Sequence, residues 1–459
     1  MNQPPPKNNE LWTRGFLGLQ VAQIMGAFND NIVKIVLMLL IVAGSGNIWA
    51  GELGPGGQSY VSLIMTIPFL ILLDFAGRCA DRFSKRRIVF WVKVSEIPIS
   101  VLIGIGLVTG NLWLTLAAYT LLMMESALFN PSKYGMIREV ISTRELSRGN
   151  GLMNMTTNVA IIFGTAVGGW LLEWHSWAVS IVIVLVAIAG LFGVFIIPPL
   201  KAIKPTTKLT PWPAYSSIRT LLRMRVAHPV AAHQQINSKH TNHPMLLVTF
   251  LWAWFWFSAL MITLIVPEYK GILNISDASS GFMMAYLGIC IGVSCAVAGY
   301  ISGGRVRMSL IPIGAIGLSL FIFLLAIFTP NQSHATAAAV EGASSSEYWM
   351  IVLLLCLAGL SAGFYIVPLQ ALIQQAAPHG VRAQYVASAN FLSYALMTIS
   401  AGIFLLMRGL GVSISWIYAL CALSAGISII PLILFRKSLA VAEHCGITQN
   451  EVGLANSDE

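Results

Sequence analysis

Two oppositely charged residues, Asp30 and Lys34, lie four positions apart in the first long apolar stretch of the chain, residues 21–43. That stretch is long enough to cross a membrane, where an isolated charge costs at least about 2.5 to 3.5 kcal/mol. At this spacing the two side chains share a helix face and can partly neutralise each other. The nearby amides Gln23 and Asn31 add polarity. A structural ion pair has the same pattern, but the depth and the polar surroundings favour a functional site beside a water-filled cavity.

The elements that carry these charges are membrane spans. Hydrophobic residues make up 56% of the 459 residues and charged residues only 10%, whereas soluble domains carry about 25% charged residues. Apolar runs long enough to cross a bilayer, about 17 to 25 residues, occur twelve times. They lie near residues 14–43, 58–78, 88–109, 112–137, 150–173, 177–199, 244–267, 279–301, 308–329, 348–375, 386–408 and 412–435. We therefore predict an all-α, multi-pass membrane protein with twelve transmembrane helices.

The distribution of basic residues predicts the orientation of these spans. Lys and Arg are retained on the cytoplasmic side of a membrane, and alternate loops of this chain are rich in them. The opposite loops hold only Lys270 and Arg408. Both termini are therefore expected in the cytoplasm. The net charge of +9 reflects this topology, so we expect no nucleic-acid partner.

A basic segment divides the chain in the middle. Residues 201–243 contain seven basic residues and no acidic ones, and an amphipathic helix near 216–227 is expected to lie against the anionic headgroups of membrane lipids. Six spans precede this segment and six follow, which suggests duplicated halves with a site between them at the midplane. The predicted parts are a cytoplasmic segment at 1–13, an N-terminal six-helix bundle at 14–200, a cytoplasmic linker at 201–243, a C-terminal six-helix bundle at 244–436 and a cytoplasmic tail at 437–459.

The loop between the second and third spans carries the most specific motif. It reads G-x-x-x-D-R-x-x-K-R-R and contains Gly77, Asp81, Arg82, Arg86 and Arg87. A glycine at the end of a helix lets the backbone turn, and the arginines hold the loop at the cytoplasmic surface. The motif resembles the signature of the major facilitator superfamily. The resemblance implies a fold of two six-helix bundles and a role for these five residues in switching between open states.

Further segments narrow the resemblance. Residues 21–31, 131–135, 150–153 and 363–374 resemble the bacterial lysophospholipid transporter family, and the similarity extends over nearly the whole chain. The resemblance implies a flippase of the bacterial inner membrane. Such a protein moves lysophospholipids, chiefly lysophosphatidylethanolamine and lysophosphatidylglycerol, from the outer to the inner leaflet. A separate acyltransferase then adds the missing second acyl chain to the lipid.

The second half departs from that family in its charges. Members carry an Arg in the seventh span and a Glu near the end of the tenth. Here the seventh span holds the uncharged aromatic run 252–257, and the tenth offers Gln374 and Gln375. The departure favours a zwitterionic headgroup beside the first half and an acyl chain along the aromatic residues. Lipid-facing filler or an interfacial belt is the more ordinary role for those aromatic residues.

Other charged residues of the first half fall within the spans. Glu125 in the fourth span reaches a depth similar to that of Asp30, and Lys133 lies two turns further along, where it can meet a phosphate or anchor the helix end. Lys93 and Glu96, three residues apart, are expected to form a structural ion pair. The predicted ligands of the substrate or of a coupling ion are Asp30, Lys34, Gln23, Asn31, Glu125, Lys133 and Gln375.

Several other function classes are excluded or disfavoured. The chain has no G-x-x-x-x-G-K-[ST] loop for a nucleotide, and no nucleophile lies beside a base at a recognisable spacing, so we predict neither ATP hydrolysis nor an enzyme. Cysteine and histidine spacings predict no metal site and no cofactor. We expect a monomer driven by the lipid gradient or by coupled Na⁺ or H⁺. The alternative is a transporter of another amphipathic solute, such as a siderophore or a drug.

Overall fold

Twelve long helices make up most of the part of the chain that the computed structural model describes, residues 11–42, 46–142, 145–200, 220–222, 244–302, 307–330, 346–376 and 382–434. They are α1 Arg14–Ile41, α2 Gln58–Arg82, α3 Lys85–Thr109, α4 Leu112–Val140, α5 Leu146–Trp174, α6 Ser176–Ile196, α7 Pro244–Ile265, α8 Asp277–Ser302, α9 Leu310–Phe328, α10 Ser346–Ala376, α11 Arg382–Gly409 and α12 Ile414–Ile427. Each of the twelve predicted spans is found as a helix that is long and apolar enough to cross a membrane.

Short helical turns extend two of these spans. A 3₁₀ turn, Val266–Glu268, and a five-residue helix, Tyr269–Leu273, follow α7, and a last turn, Ile429–Leu434, follows α12. Side-chain caps fix the starts of two helices. The Thr13 hydroxyl accepts a hydrogen bond from the Phe16 amide at 3.1 Å, and the side-chain Oδ1 of Asn111 accepts one from the Leu114 amide at 3.0 Å. These caps satisfy backbone N–H groups that have no partner within the helix.

The described residues divide into two compact units. The first holds the described residues up to 200 together with Leu264–Gly288, and the second holds most of the rest. In the first unit a core cluster joins α1, α3, α4 and α6 through residues such as Phe16, Val89, Met136 and Val194. In the second unit a core cluster joins α7, α9 and α10, with members Trp252, Phe255, Ile311, Tyr365 and Leu369.

Polar contacts tie the hairpin between α7 and α8 to the ends of helices in the same unit. Gln58 Nε2, fully buried at the start of α2, donates to Glu268 Oε1 at 2.7 Å and to the Leu264 carbonyl at 3.1 Å. Lys270 Nζ contacts Asp277 Oδ1 at 2.5 Å, and Asn47 Nδ2 donates to the same oxygen at 3.3 Å. We name these side chains, with that of Glu173, the hairpin clasp.

Glu173 completes the clasp at the end of α5. Its Oε1 accepts a hydrogen bond from the Ala278 amide in the first turn of α8 at 3.0 Å. A carboxylate at this position also interacts favourably with the positive end of the helix dipole. Close beside it the backbones of Gly169 and Gly281 approach so tightly that a Cβ on Gly169 would lie 3.0 Å from the Gly281 Cα.

Small residues allow helices to pack closely in both units. A Cβ on Gly164 of α5 would lie 2.6 Å from the Phe28 carbonyl oxygen of α1. In the second unit the Gly363 amide donates to Ser294 Oγ at 3.0 Å, and that hydroxyl donates to the Gly359 carbonyl at 3.0 Å. The pattern Gly359-x-x-x-Gly363 therefore brings the backbone of α10 against α8.

We predict that Gly363→Ala destabilises the protein, because its Cβ would meet the Cys295 backbone and the Ser294 side chain. Overpacking of this kind costs about 1 to 3 kcal/mol, so the thermal unfolding midpoint in detergent should fall by several degrees. Gly402→Ala is the matched control, since a Cβ there meets nothing within 4 Å. Equal midpoints for the two variants would contradict the prediction.

Candidate functional site

A buried polar network joins α1 to α3 in the first unit. The Asn29 side chain is fully buried, and its Nδ2 donates to Glu96 Oε1 at 2.9 Å and to Ser100 Oγ at 3.3 Å. The other carboxylate oxygen of Glu96 receives the ammonium of Lys93. Both oxygens of this carboxylate therefore have donors, as a buried charge requires.

The predicted ion pair between Lys93 and Glu96 is present and almost fully desolvated. Their side chains are 2% and 1% exposed. Lys93 Nζ also lies 5.2 Å from the centroid of the Phe129 ring on α4, within the range of a cation–π contact. A Cβ at Gly26 would lie 2.5 Å from Lys93 Nζ, so the glycine leaves the space that the ammonium occupies against α1.

Asp30, by contrast, is bonded to α4. Its Oδ2 accepts a hydrogen bond from Ser126 Oγ at 2.7 Å. Among the described residues five ion pairs join nitrogen and oxygen within 4.0 Å, and none of them is Asp30 with Lys34. Asp30 and Lys34 therefore form no direct ion pair, although their charges lie close enough to interact. Sequence reasoning missed Ser126, because nothing in its surroundings marks it as the partner of a residue on α1.

Glu125, the neighbour of Ser126, is buried without a full set of partners. Its side chain is 6% exposed, and Oε2 accepts no hydrogen bond from any described residue. The carboxyl lies near enough to Asp30, Lys93 and Glu96 to interact with their charges. The sequence predicted that Glu125 and Asp30 reach a similar depth, and this placement is compatible with that prediction. An acceptor left open at this depth is a candidate ligand position.

Lys133 is a second buried charge with an incomplete set of partners. The residue is 8% exposed, and its Nζ lies 5.0 Å from the Tyr134 ring centroid and 5.9 Å from that of Phe129. It forms no ion pair within 4.0 Å with a described residue. Its charge and that of Asp30 lie close enough to interact. The first unit therefore holds an acid and a base, both with remaining capacity to bind a ligand.

The predicted amide ligands are engaged in helix packing. Gln23 Nε2 donates to Thr157 Oγ1 of α5 at 3.0 Å, and Asn31 Nδ2 donates to the Ala27 carbonyl of its own helix at 2.7 Å. Either amide oxygen can still accept a hydrogen bond. The side chain of Gln375 lies outside the described residues, as do the linker except for residues 220–222, the tail at 437–459 and the N-terminal residues 1–10.

Aromatic rings stack along one side of α7 in the second unit. The Trp254 ring stacks on Phe257 with centroids 4.6 Å apart and on Phe250 at 5.9 Å. Phe255 stacks instead on Tyr365 of α10 at 6.1 Å, and the Tyr365 hydroxyl donates to the Leu251 carbonyl at 3.2 Å. The suggestion that this run contacts an acyl chain stays a prediction.

Comparison with known protein families identifies the family to which this fold belongs. The family profile described as the Major Facilitator Superfamily matches residues 19–402, which is most of the chain. The chain belongs to the major facilitator superfamily. It is therefore a membrane transporter, as the signature loop and the twelve helices predicted.

Curated relatives and solved structures agree with this assignment. The lysophospholipid transporter LplT of Cronobacter sakazakii is 27% identical over 377 residues, which cover 82% of this chain and 84% of that protein. LplT of Escherichia coli O1:K1 is 26% identical over 423 residues, covering 90% and 94%. A POT family transporter crystallised with 5-aminolevulinic acid has a TM-score of 0.68 at 12% identity, covering 94% of this chain and 98% of that one. A D-xylose-proton symporter has a TM-score of 0.65 at 13% identity, covering 90% and 96%.

The superfamily signature lies where α2 passes into α3. Gly77, Asp81 and Arg82 end α2, and Arg86 and Arg87 lie in the first turn of α3. Contacts hold the flanking residues in place. The Ser84 hydroxyl donates to the Leu200 carbonyl at 2.6 Å. The Lys85 ammonium contacts Glu139 Oε1 at 2.5 Å. The proposed switching role of the five signature residues stays a prediction.

We predict that Glu96→Ala strongly destabilises this transporter. Removing one partner of a buried pair leaves an uncompensated charge and costs about 3 to 5 kcal/mol. Glu145→Ala is the matched control, because the Glu145–Arg148 pair has the same spacing but Arg148 is 75% exposed. Glu145 is 14% exposed, but its solvated partner keeps the contribution of this pair to at most about 1 kcal/mol. Thermal unfolding midpoints in detergent measure both, and similar shifts for the two variants would refute the prediction.

Proposed function

We propose that this major facilitator transporter moves lysophospholipids across the bacterial inner membrane by alternating access, as a flippase that supplies a separate acyltransferase. The similarity to proteins named lysophospholipid transporter supports the substrate class. The observation that carries the proposal is the placement of Asp30 and Lys133. They are opposite charges within interaction distance in one helical bundle, and neither is paired with the other directly.

A zwitterionic headgroup complements these two charges. Its ammonium group would bind Asp30, whose position is fixed by the hydrogen bond from Ser126. Its phosphate would bind Lys133, which the Phe129 and Tyr134 rings hold without neutralising its charge. Charge-assisted hydrogen bonds of this kind contribute about 1.5 to 3 kcal/mol each. The charges of the headgroup would thus be matched inside an otherwise apolar bundle.

The driving force in this proposal is the lipid gradient or a coupled cation, Na⁺ or H⁺. The chain lacks a nucleotide-binding loop, so transport in proteoliposomes should proceed without ATP. Adding ATP should leave the initial rate unchanged, whereas reversing the lipid gradient or an imposed Na⁺ or pH gradient should change the rate or the direction. ATP-dependent transport would contradict this part of the proposal.

We predict that Asp30→Asn impairs transport of one lipid selectively, whereas Lys133→Gln impairs transport of both. Asp30→Asn should lower transport of labelled lysophosphatidylethanolamine by roughly 10- to 100-fold, the equivalent of one charge-assisted hydrogen bond. It should affect lysophosphatidylglycerol much less, because that headgroup has no ammonium group. Lys133→Gln should lower transport of both lipids, because both carry the phosphate.

The measurement is uptake into proteoliposomes. Glu145→Gln, which lies outside the proposed site and whose partner Arg148 is exposed, is the control for general effects of reconstitution. Thermal unfolding midpoints should confirm that each variant is folded. Equal losses of both lipids in Asp30→Asn would contradict the assignment of the ammonium site. If the native protein moves neither lipid but moves a siderophore or a drug, the proposed substrate class is wrong.

A further inference from the structure

Glu125 and Glu96 are both more than nine-tenths buried in the same bundle, yet their partners differ. Glu96 Oε1 accepts from Asn29, and its other oxygen receives the Lys93 ammonium. Glu125 Oε2 accepts no hydrogen bond from a described residue, and Glu125 forms no ion pair within 4.0 Å. An ionised carboxylate needs donors at both oxygens when it is buried. Glu96 meets that requirement and Glu125 does not.

Among the described residues, no unpaired cation on a neighbouring helix forms an ion pair with Glu125. The groups that interact with Glu125 are Asp30 of α1, and Lys93 and Glu96 of α3. Two of these three are acids, and the ammonium of Lys93 is already paired with Glu96. Residues 58–73 of α2 and 149–172 of α5 carry no charged residue. Apart from Arg14 in the first turn of α1 and Arg138 in the last turn of α4, the remaining cations of these two helices are Lys34 and Lys133.

We propose that Glu125 is a proton-binding residue that carries a proton in the unloaded transporter and releases it when a headgroup ammonium binds at Asp30. The proposal rests on the proposed function, since it requires an amine-bearing substrate. The O–H bond of the Glu125 carboxyl group breaks, its electron pair stays on the carboxylate, and the proton passes to water. The charge of the arriving ammonium replaces that of the departing proton beside Asp30 and Glu125, while the negative charge of the phosphate faces Lys133.

This exchange distinguishes headgroups by charge. Lysophosphatidylethanolamine brings an ammonium group to Asp30 and so favours the ionised form of Glu125 by direct Coulomb attraction. Lysophosphatidylglycerol brings no cation, and Glu125 keeps its proton. Transport of the first lipid would therefore be linked to the pH gradient, whereas transport of the second would not be linked through this residue.

The test is isothermal titration of each lipid into the native transporter in detergent, near pH 7, in buffers that differ in ionisation enthalpy. The dependence of the binding heat on the buffer gives the number of protons released. We expect up to one proton per lysophosphatidylethanolamine and none for lysophosphatidylglycerol. In Glu125→Gln the proton release should vanish at whatever affinity the variant retains.

Infrared difference spectra of the native protein give a second measurement that does not require the variant to bind. Adding lysophosphatidylethanolamine should remove a protonated-carboxyl band, and Glu125→Asp, which keeps the carboxyl group, should show the same loss at a shifted position. Binding without proton release or band loss would overturn the proton exchange and leave the proposed function standing. Release that persists in Glu125→Gln would overturn the assignment to Glu125. Absence of any lysolipid binding or transport would instead refute the proposed function.

Discussion

The desolvated ion pair between Lys93 and Glu96 is the interaction on which the geometry of the first unit depends. It requires a glycine at position 26 for the ammonium, an amide from Asn29 for the carboxylate and the Phe129 ring for the remaining face of the cation. These requirements fix α1 against α3 and α4. Because Asn29 and Asp30 are adjacent, the bond from Asn29 to Glu96 also sets the height and rotation at which Asp30 meets Ser126.

The same residue types serve two purposes within this bundle, and the completeness of their partner sets separates them. Glu96 has a donor at each oxygen, which is the arrangement of a structural charge. Glu125 keeps an open acceptor, and Lys133 keeps aromatic neighbours in place of a carboxylate. A charge that is held by geometry but is not neutralised gains most from a ligand of opposite sign. In the proposed headgroup site, Asp30 and Lys133 are charges of this kind, and the fully paired Lys93 and Glu96 form the scaffold beside them.

The sequence predicted the spans and the Lys93–Glu96 pair, because each depends on short-range periodicity. It did not predict that Asp30 bonds to Ser126, since the two residues are 96 positions apart and their contact follows from the rotation of α4 against α1. The i, i+4 spacing of Asp30 and Lys34 predicted that their charges interact, which they do without a direct ion pair, because spacing does not fix the rotamers. The hairpin clasp was missed for a similar reason, as Glu173 and Glu268 look like ordinary charges at span ends.

The hairpin clasp has a consequence for how this protein is made. Asn47, Gln58 and Glu173 are synthesised long before Glu268, Lys270 and Asp277, so their final partners are absent while the first six spans leave the ribosome. The compact unit that contains those spans is completed only when Leu264–Gly288 arrives. The two sequence halves are therefore not independent folding modules. A chain severed in the linker would have to assemble its first unit from both fragments.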